Sequence, residues 1–293
     1  MTTVNLTKYH GCGNDFLIIS LQELTRVLPS QEWPNFAEAV CNRHFGIGAD
    51  GLLVVGKPNR SEEFGNVRMT IFNSDGSQAQ MCGNGIRCAA HYAIHQGWTQ
   101  GLKFTIDTAA GPKGIEVVRD NFRVNMGPPS FDPTMIPVED FVLGSGAELP
   151  VVWIRQPWAS LSPYFAVSMG NPHAVLFMDF EDEIALDVLG PRIESHKNFP
   201  NKTNVEFAHV VDEHHAKVLV WERGAGATLA CGTGACAVAA VGIKLGELES
   251  PVQVELPGGT LTIEWDGQGD MNMTGPVRRV AEVQYYYQGG SKQ

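Results

Sequence analysis

Two cysteines, Cys82 and Cys231, open the same short pattern, Cys-Gly-x-Gly, in MCGNGIRC at residues 81–88 and ACGTGACA at residues 230–237. An Ala-rich stretch follows each, so each thiol falls where a helix is expected to begin. In the first turn of a helix four backbone N–H groups lack intrahelical partners, and the helix dipole places partial positive charge there. A thiolate is stabilised in such a position, which draws a cysteine pKa down from ~8.5 toward neutrality. The flanking glycines let another group approach the backbone closely, so one segment can offer both a base and an anchorage for a carboxylate. A thiolate paired with a neutral thiol can take a proton from one face of a carbon and return one to the other. That chemistry is racemisation or epimerisation.

The elements that must position these thiols also occur twice. At an offset of 149 residues, VRMTIFNSDGSQAQMCGNGIRCAAHYAIHQG aligns without a gap on AKVLVWERGAGATLACGTGACAVAAVGIKLG. Each copy predicts a strand at 67–72 or 216–221, a polar Gly-containing turn, the cysteine segment, and a helix over 86–96 or 235–245 that stops at Gly97 or Gly246. Each then returns to β pattern, in LKFTIDTAAGPKGIEVV and VQVELPGGTLTIEW. A weaker echo links GCGNDFLII near the start to MGNPHAVLF at 169–177, a Gly-Asn turn leading into a strand in both. The pattern predicts an α/β chain of the α+β type, with two duplicated halves, a boundary near GPPSFDPTMIP at 127–137, and a cleft between them.

Composition narrows the partners. A chain of 293 residues with 43% hydrophobic content has room for two ordinary domains. A formal charge of −11 argues against a phosphate-contacting surface, so nucleic acid is not an expected partner. The first residues carry no charged and then apolar leader, and no apolar run reaches the ~18 residues of a membrane span. The expectation is a cytoplasmic protein without membrane contact. The six cysteines read as reduced thiols, with Cys88 and Cys236 as core residues inside the helices. The spacings Cys82/Cys88 and Cys231/Cys236 do not share a helical face, so no metal site is expected. No phosphate loop is present either, because no Gly-Lys-Ser/Thr follows the glycine-rich segments.

Several stretches, in order along the chain, resemble the diaminopimelate epimerase family: KYHGCGNDF, HFGIGADGLL, FNSDGSQAQMCGNGIRC, SMGNPHAV, FPNKTNVEF, ERGAGATLACGTGACA and GPVRRVAEV. The resemblance implies cofactor-free, pyridoxal-phosphate-independent epimerisation of LL- to meso-diaminopimelate, a lysine and peptidoglycan precursor. It makes Cys82 and Cys231 the two acid/base thiols, with His173 and Glu222 tuning their protonation. It makes Gly83, Asn84, Gly232 and Thr233 donors to the substrate, and Asn14, Asn73, Asn171, Asn204, Glu222 and Arg223 further substrate-holding groups. It also implies two pseudo-symmetric domains, each a mixed sheet around a central helix, at 1–129 with 275–293 and at 130–274, and a homodimer. Two positions depart from the family pattern: Ala227 stands where Glu is usual, and Cys12 where Leu or Ala is common. Ala227 is expected to weaken activity without abolishing it. Two other readings stay open: a racemase of the same fold, proline racemase-like or of the phenazine-biosynthesis type, acting on another amino acid, and a copy that binds ligand without chemistry.

Overall fold

The computed structural model describes residues 2–57, 67–99, 101–144, 149–156, 160–179 and 184–288. The chain forms two compact units, one of Met1–Val124 with Gly275–Gln293 and one of Asn125–Thr274. In chain order the first contains strands β1 (Thr2–Gly11) and β2 (Asn14–Ser20), helices α1 (Leu21–Val27) and α2 (Trp33–Cys41), strands β3 (Gly51–Gly56), β4 (Val67–Asn73) and β5 (Gln78–Ala79), helix α3 (Gly83–His95), and strands β6 (Lys103–Thr108), β7 (Gly111–Val118) and β8 (Asn121–Gly127). The second contains β9 (Val142–Leu143), β10 (Pro150–Arg155), β11 (Leu161–Ser168), β12 (Pro172–Phe177), helix α4 (Leu186–Glu194), β13 (Asn204–Asp212), β14 (His215–Glu222), β15 (Gly226–Thr228), helix α5 (Gly232–Leu245), β16 (Val252–Leu256), β17 (Gly259–Glu264) and β18 (Met271–Pro276). The last strand, β19 (Arg278–Tyr287), returns to the first unit and pairs antiparallel with β1.

Both sheets are mixed and follow one plan. The first runs β19-β1-β2-β3-β4-β6-β7-β8, with β2–β3 and β4–β6 parallel and the other neighbours antiparallel. The second runs β10-β11-β12-β13-β14-β16-β17-β18, with β12–β13 and β14–β16 parallel and the others antiparallel. Strand for strand, the directions repeat. The burial patterns follow from position in the sheet. Central β3, GLLVVG, is buried along its whole length, whereas β16, VQVEL, alternates buried and exposed as a half-covered strand should.

Each sheet packs on its own Ala-rich helix, α3 on β1 to β4 and α5 on β11 to β14, β16 and β17. Small side chains make this possible: α5 is buried at every residue from Ala235 to Gly242, and α3 from Gly83 to Ala90. Gly242 shows the tolerance, since a Cβ there would lie 2.4 Å from Leu248 Cδ1. The helix C-termini lie where the glycines predict them, with Gly246 left-handed at φ +75° and Gly97 at φ +67°. The N-termini come three residues earlier than propensity suggests, at Gly83 and Gly232 rather than Ile86 and Ala235. Glycine is a poor helix former, but here Cys82 and Cys231 cap the helices with their own side chains, and so bring the glycines into the first turn.

Candidate active site

In the first unit, Cys82 is the N-cap of α3 and its Sγ accepts from the Gly85 N–H at 3.4 Å. Asn14 reaches it directly and Asn84 stands behind Asn14. Asn14, at the start of β2, lies with Oδ1 3.7 Å from Cys82 Sγ and accepts from Asn84 Nδ2 at 3.2 Å. The orientation of that amide is fixed from behind, because Asn14 Nδ2 donates to the Asp50 carboxylate at 2.7 Å, and a carboxylate only accepts. Asp50 is in turn paired with Arg43, which also bridges to Asp15, and Asp15 holds Lys8 at 2.8 Å. Burial pushes the Asp15 carboxyl up, but the Arg43 and Lys8 bonds outweigh it and hold the group below its usual range. Beneath the turn, fully buried Arg87 donates to Asn84 Oδ1 at 2.8 Å and to Gly83 O at 3.2 Å. Asn73 closes β4 and donates to Ser77 Oγ at 2.9 Å, away from this cluster's bonds. Cys12 is buried in the left-handed region at φ +53°, just before Gly13. Burial raises its thiol pKa while the Arg87 guanidinium pulls it back.

The second unit repeats the frame with different chemistry. Cys231 caps α5, accepting from the Gly234 N–H at 3.4 Å, and lies 3.4 Å from Thr233 Oγ1. Burial pushes this thiol well up, the Glu222 and Glu206 carboxylates push it further, and the Thr233 and Gly234 bonds pull it partly back. Glu222 ends β14 and accepts from Thr228 Oγ1 at 2.6 Å. Its own carboxyl is raised by burial, against the pull of its bonds to Thr228 and Cys231 and of nearby His173. His173, fully buried on β12, sits between two oxygens: Nδ1 lies 2.6 Å from Glu206 Oε1 and Nε2 lies 3.1 Å from Asn171 Oδ1. Asn171 continues to Thr233, with Nδ2 3.5 Å from Oγ1.

The remaining positions carry more structure than the sequence suggests. Both polar ends of Asn204 are spent on backbone, Nδ2 on Pro172 O at 2.8 Å and Oδ1 on the Arg223 N–H at 2.9 Å. The exposed Arg223 side chain donates to Asn201 O at 3.1 Å. Glu194, which sequence reasoning missed, fastens the same turn, accepting from Trp221 Nε1 at 2.8 Å, Gly224 N at 3.1 Å and Lys202 Nζ at 3.1 Å. Gly83 and Gly232 are buried in the first helical turns beside their cysteines. Ala227 is exposed on β15, opposite Trp221, and strand alternation turns it away from Thr228, whose hydroxyl reaches Glu222. Asp50 and Glu206 were also missed. Glu206 had a signal: it is a lone acid inside NVEFA, a strand otherwise patterned for full burial.

Because the strand order repeats, equivalent positions can be compared directly. The Gly-Asn turns before β2 and β12 match Asn14 with Asn171 and, two residues on, Phe16 with His173. On the neighbouring parallel strand, Ile18 pairs with Leu53 and Val175 with Glu206. So Phe16 and Leu53 in one unit stand where the other has His173 and Glu206. The glycine under each pair records the swap. A Cβ at Gly85 would meet Leu53 Cδ2 at 3.3 Å and Phe16 Cζ at 3.5 Å, whereas one at Gly234 would meet Glu206 Oε1 at 2.8 Å.

Comparison with known proteins is consistent along the chain. The family model described as diaminopimelate epimerase matches residues 6–132 and 165–280. The diaminopimelate epimerase of Carboxydothermus hydrogenoformans is 44% identical over 281 residues, covering 95% of this chain and 98% of that protein. That of Stutzerimonas stutzeri is 43% identical over 283 residues, covering 96% and 98%. Among solved structures, a PhzF-family phenazine biosynthesis protein from Bacillus anthracis superposes with TM-score 0.66 at 17% identity, over 98% of this chain and 100% of that one. A hydroxyproline epimerase from Agrobacterium vitis gives 0.64 at 14%, over 96% and 92%. At such identities the structural likeness speaks to the fold of two duplicated domains.

Proposed function

We propose, from the premise that this chain belongs to the diaminopimelate epimerase family, that it interconverts LL- and meso-diaminopimelate through the thiols of Cys82 and Cys231. One, as thiolate, removes the α-proton; the other, as thiol, returns a proton to the opposite face of the same carbon. The observation that carries this reading is the repeated cap: each unit places one cysteine as the N-cap of a buried helix, with a first-turn N–H on its sulfur.

The α-proton of an amino acid is a weak acid, so the site must lower most of the barrier. In the first turns of the two helices, Gly83, Asn84, Gly232 and Thr233 suit, as donors, the α-carboxylate onto which the carbanion's charge spreads. Glu222 acts on Cys231, and His173 acts on Glu222, so that together they tune the field in which the thiol's proton moves. Asn14 and Asn84 border Cys82 in the same way. Asn73, Asn171, Asn204 and Arg223 are taken as the groups that fix the substrate's polar ends, with Arg223 suited to the distal carboxylate. No cofactor enters this reading, which includes a homodimer and a cytoplasmic location.

The test is proton NMR of the reduced protein with LL-diaminopimelate in deuterated water. Loss of the α-proton signal together with appearance of the meso isomer supports two-base epimerisation. A folded, reduced sample that does neither overturns the substrate, and a panel of other amino acids then asks for a racemase of the same fold.

A further inference from the structure

We infer that Glu206 is a positioning residue that holds His173 by Nδ1–H and thereby sets the direction of a hydrogen-bonded chain, His173 to Asn171 to Thr233 to Cys231, that ends on the reacting sulfur. The inference rests on the reading of Cys231 as an acid/base thiol.

The geometry is continuous. From Glu206 Oε1 the steps are 2.6 Å to His173 Nδ1, 3.1 Å from Nε2 to Asn171 Oδ1, 3.5 Å from Nδ2 to Thr233 Oγ1, and 3.4 Å on to Cys231 Sγ. A carboxylate can only accept, so Nδ1 carries a proton. Nε2 faces the Asn171 amide oxygen, and the inference places a proton there as well, so that the ring donates on both sides. Every donor then points one way: Nε2–H to the amide oxygen, the amide N–H to the hydroxyl, and the hydroxyl to sulfur. Such a bond favours the thiolate. Replace the carboxylate by a neutral group and the ring loses the acceptor that keeps both of its nitrogens as donors. The ring then gives up one proton, Nε2 becomes an acceptor, and the chain can reverse to leave the hydroxyl accepting from S–H.

The fold does not require this pair. In the sister unit the same two positions are Phe16 and Leu53, packed under Gly85 in the ordinary apolar way. A buried ion pair is seldom more stable than well-packed apolar side chains. Here it also leaves Glu206 Oε2 buried without a hydrogen-bond partner, and it brings Oε1 within 2.8 Å of where a Cβ at 234 would lie, closer than the 3.3 Å at Gly85. The buried polar pair and its unpartnered oxygen, both absent from the duplicate, point to a role in the reaction.

The titratable groups acting on Cys231 are Glu222 on β14 and Glu206 on β13, with His173 on β12 beside both. Glu206→Gln removes the fixed acceptor behind His173, so the reversal of the donors is the change the sulfur senses. In Glu206→Gln, kcat is expected to fall on the order of 10- to 100-fold with KM within about twofold. In the direction that uses Cys231 as base, the acid limb of the kcat profile is expected to move up by about one pH unit. Nitrogen-15 NMR of histidine-labelled wild type should show both His173 nitrogens protonated, and Glu206→Gln should return one of them to the unprotonated form. A wild-type His173 with Nδ1 unprotonated overturns the inference without any variant. So does a folded Glu206→Gln with wild-type kcat and pH profile. Wild type that epimerises no amino acid refutes the proposed function instead, while the imidazole spectrum still reads the hold of Glu206 on the ring.

Discussion

Converting the polar pair of the second unit into its apolar counterpart, His173→Phe with Glu206→Leu, separates stability from activity. The single change Glu206→Leu strands His173 in a fully buried site, with Nδ1 facing a methyl group where an oxygen stood at 2.6 Å. Breaking a buried pair from one side costs about 3–5 kcal/mol. At roughly 2–4 °C per kcal/mol for a unit of this size, Tm should fall by about 6–20 °C. The double change restores a combination that already fits this frame, since Leu53 and Phe16 sit 3.3 and 3.5 Å from the Cβ position of Gly85. Replacing a buried ion pair in this way is neutral or stabilising by about 1–4 kcal/mol. The double variant should therefore melt at or above wild type and well above the single, a coupling that only residues in contact produce. Its epimerisation should be at least about 100-fold slower, the usual scale for lost acid/base assistance. Thermal unfolding by circular dichroism, with turnover by NMR on the same samples, reads both. A double variant less stable than either single change would refute the equivalence of the two units, and one with full activity would show the pair to be idle.

Cys82→Ala and Cys231→Ala should each nearly abolish epimerisation, while a serine at either position should retain α-proton exchange with one stereoisomer only. Equal, unimpaired turnover of both isomers by either serine variant counts against two bases. Glu222 has its pKa raised from 4.5 by burial, so the stability it contributes is full below the unfolded value and is lost as pH rises through the folded one. The Tm advantage of Glu222→Gln over wild type should thus grow on going from pH about 4 to neutrality, and a constant difference would remove Glu222 as the cause. Exposed Ala227, turned away from Thr228, leads us to expect that Ala227→Glu changes the rate by less than about twofold, a surface effect. A large gain would restore the weakening expected from sequence.

Much of the frame was legible because it is written twice. The offset alignment of the two cysteine segments anticipates helices at equivalent places, and the mixed sheets around α3 and α5 share one strand order. The thiols fall at the helix starts as expected, whereas the Ala-rich pattern alone begins three residues late, because propensity counts glycine as outside a helix and a capping thiol makes it the first turn. Glu206 escaped for a different reason. Pattern reading finds charges near motifs, and this one is brought to His173 only by the parallel pairing of β12 and β13, which a local stretch of sequence does not encode. Asp50 is similar, meeting Asn14 through side chains 36 residues apart.

Duplication by itself yields two like thiols, but a two-base reaction needs unlike ones at the moment of turnover. The structure makes them unlike by the way each turn asparagine faces. Asn14, held by Asp50 through Nδ2, presents its carbonyl oxygen to Cys82 at 3.7 Å, a partner that suits S–H. Asn171, held by His173 through Oδ1, presents its amide N–H toward Thr233 and so toward Cys231, an arrangement that suits S⁻ within the upward push of burial. One scaffold and one asparagine position with two opposite supports thus give the sulfurs different neighbours, on top of a burial that holds the Cys231 thiol well up. Asp50→Asn tests the first support as Glu206→Gln tests the second. It frees the Asn14 amide to turn, and should lower turnover in the direction that uses Cys82 as acid more than in the reverse. An equal loss in both directions would mean that Asp50 serves the fold and leaves the proton on Cys82 untouched.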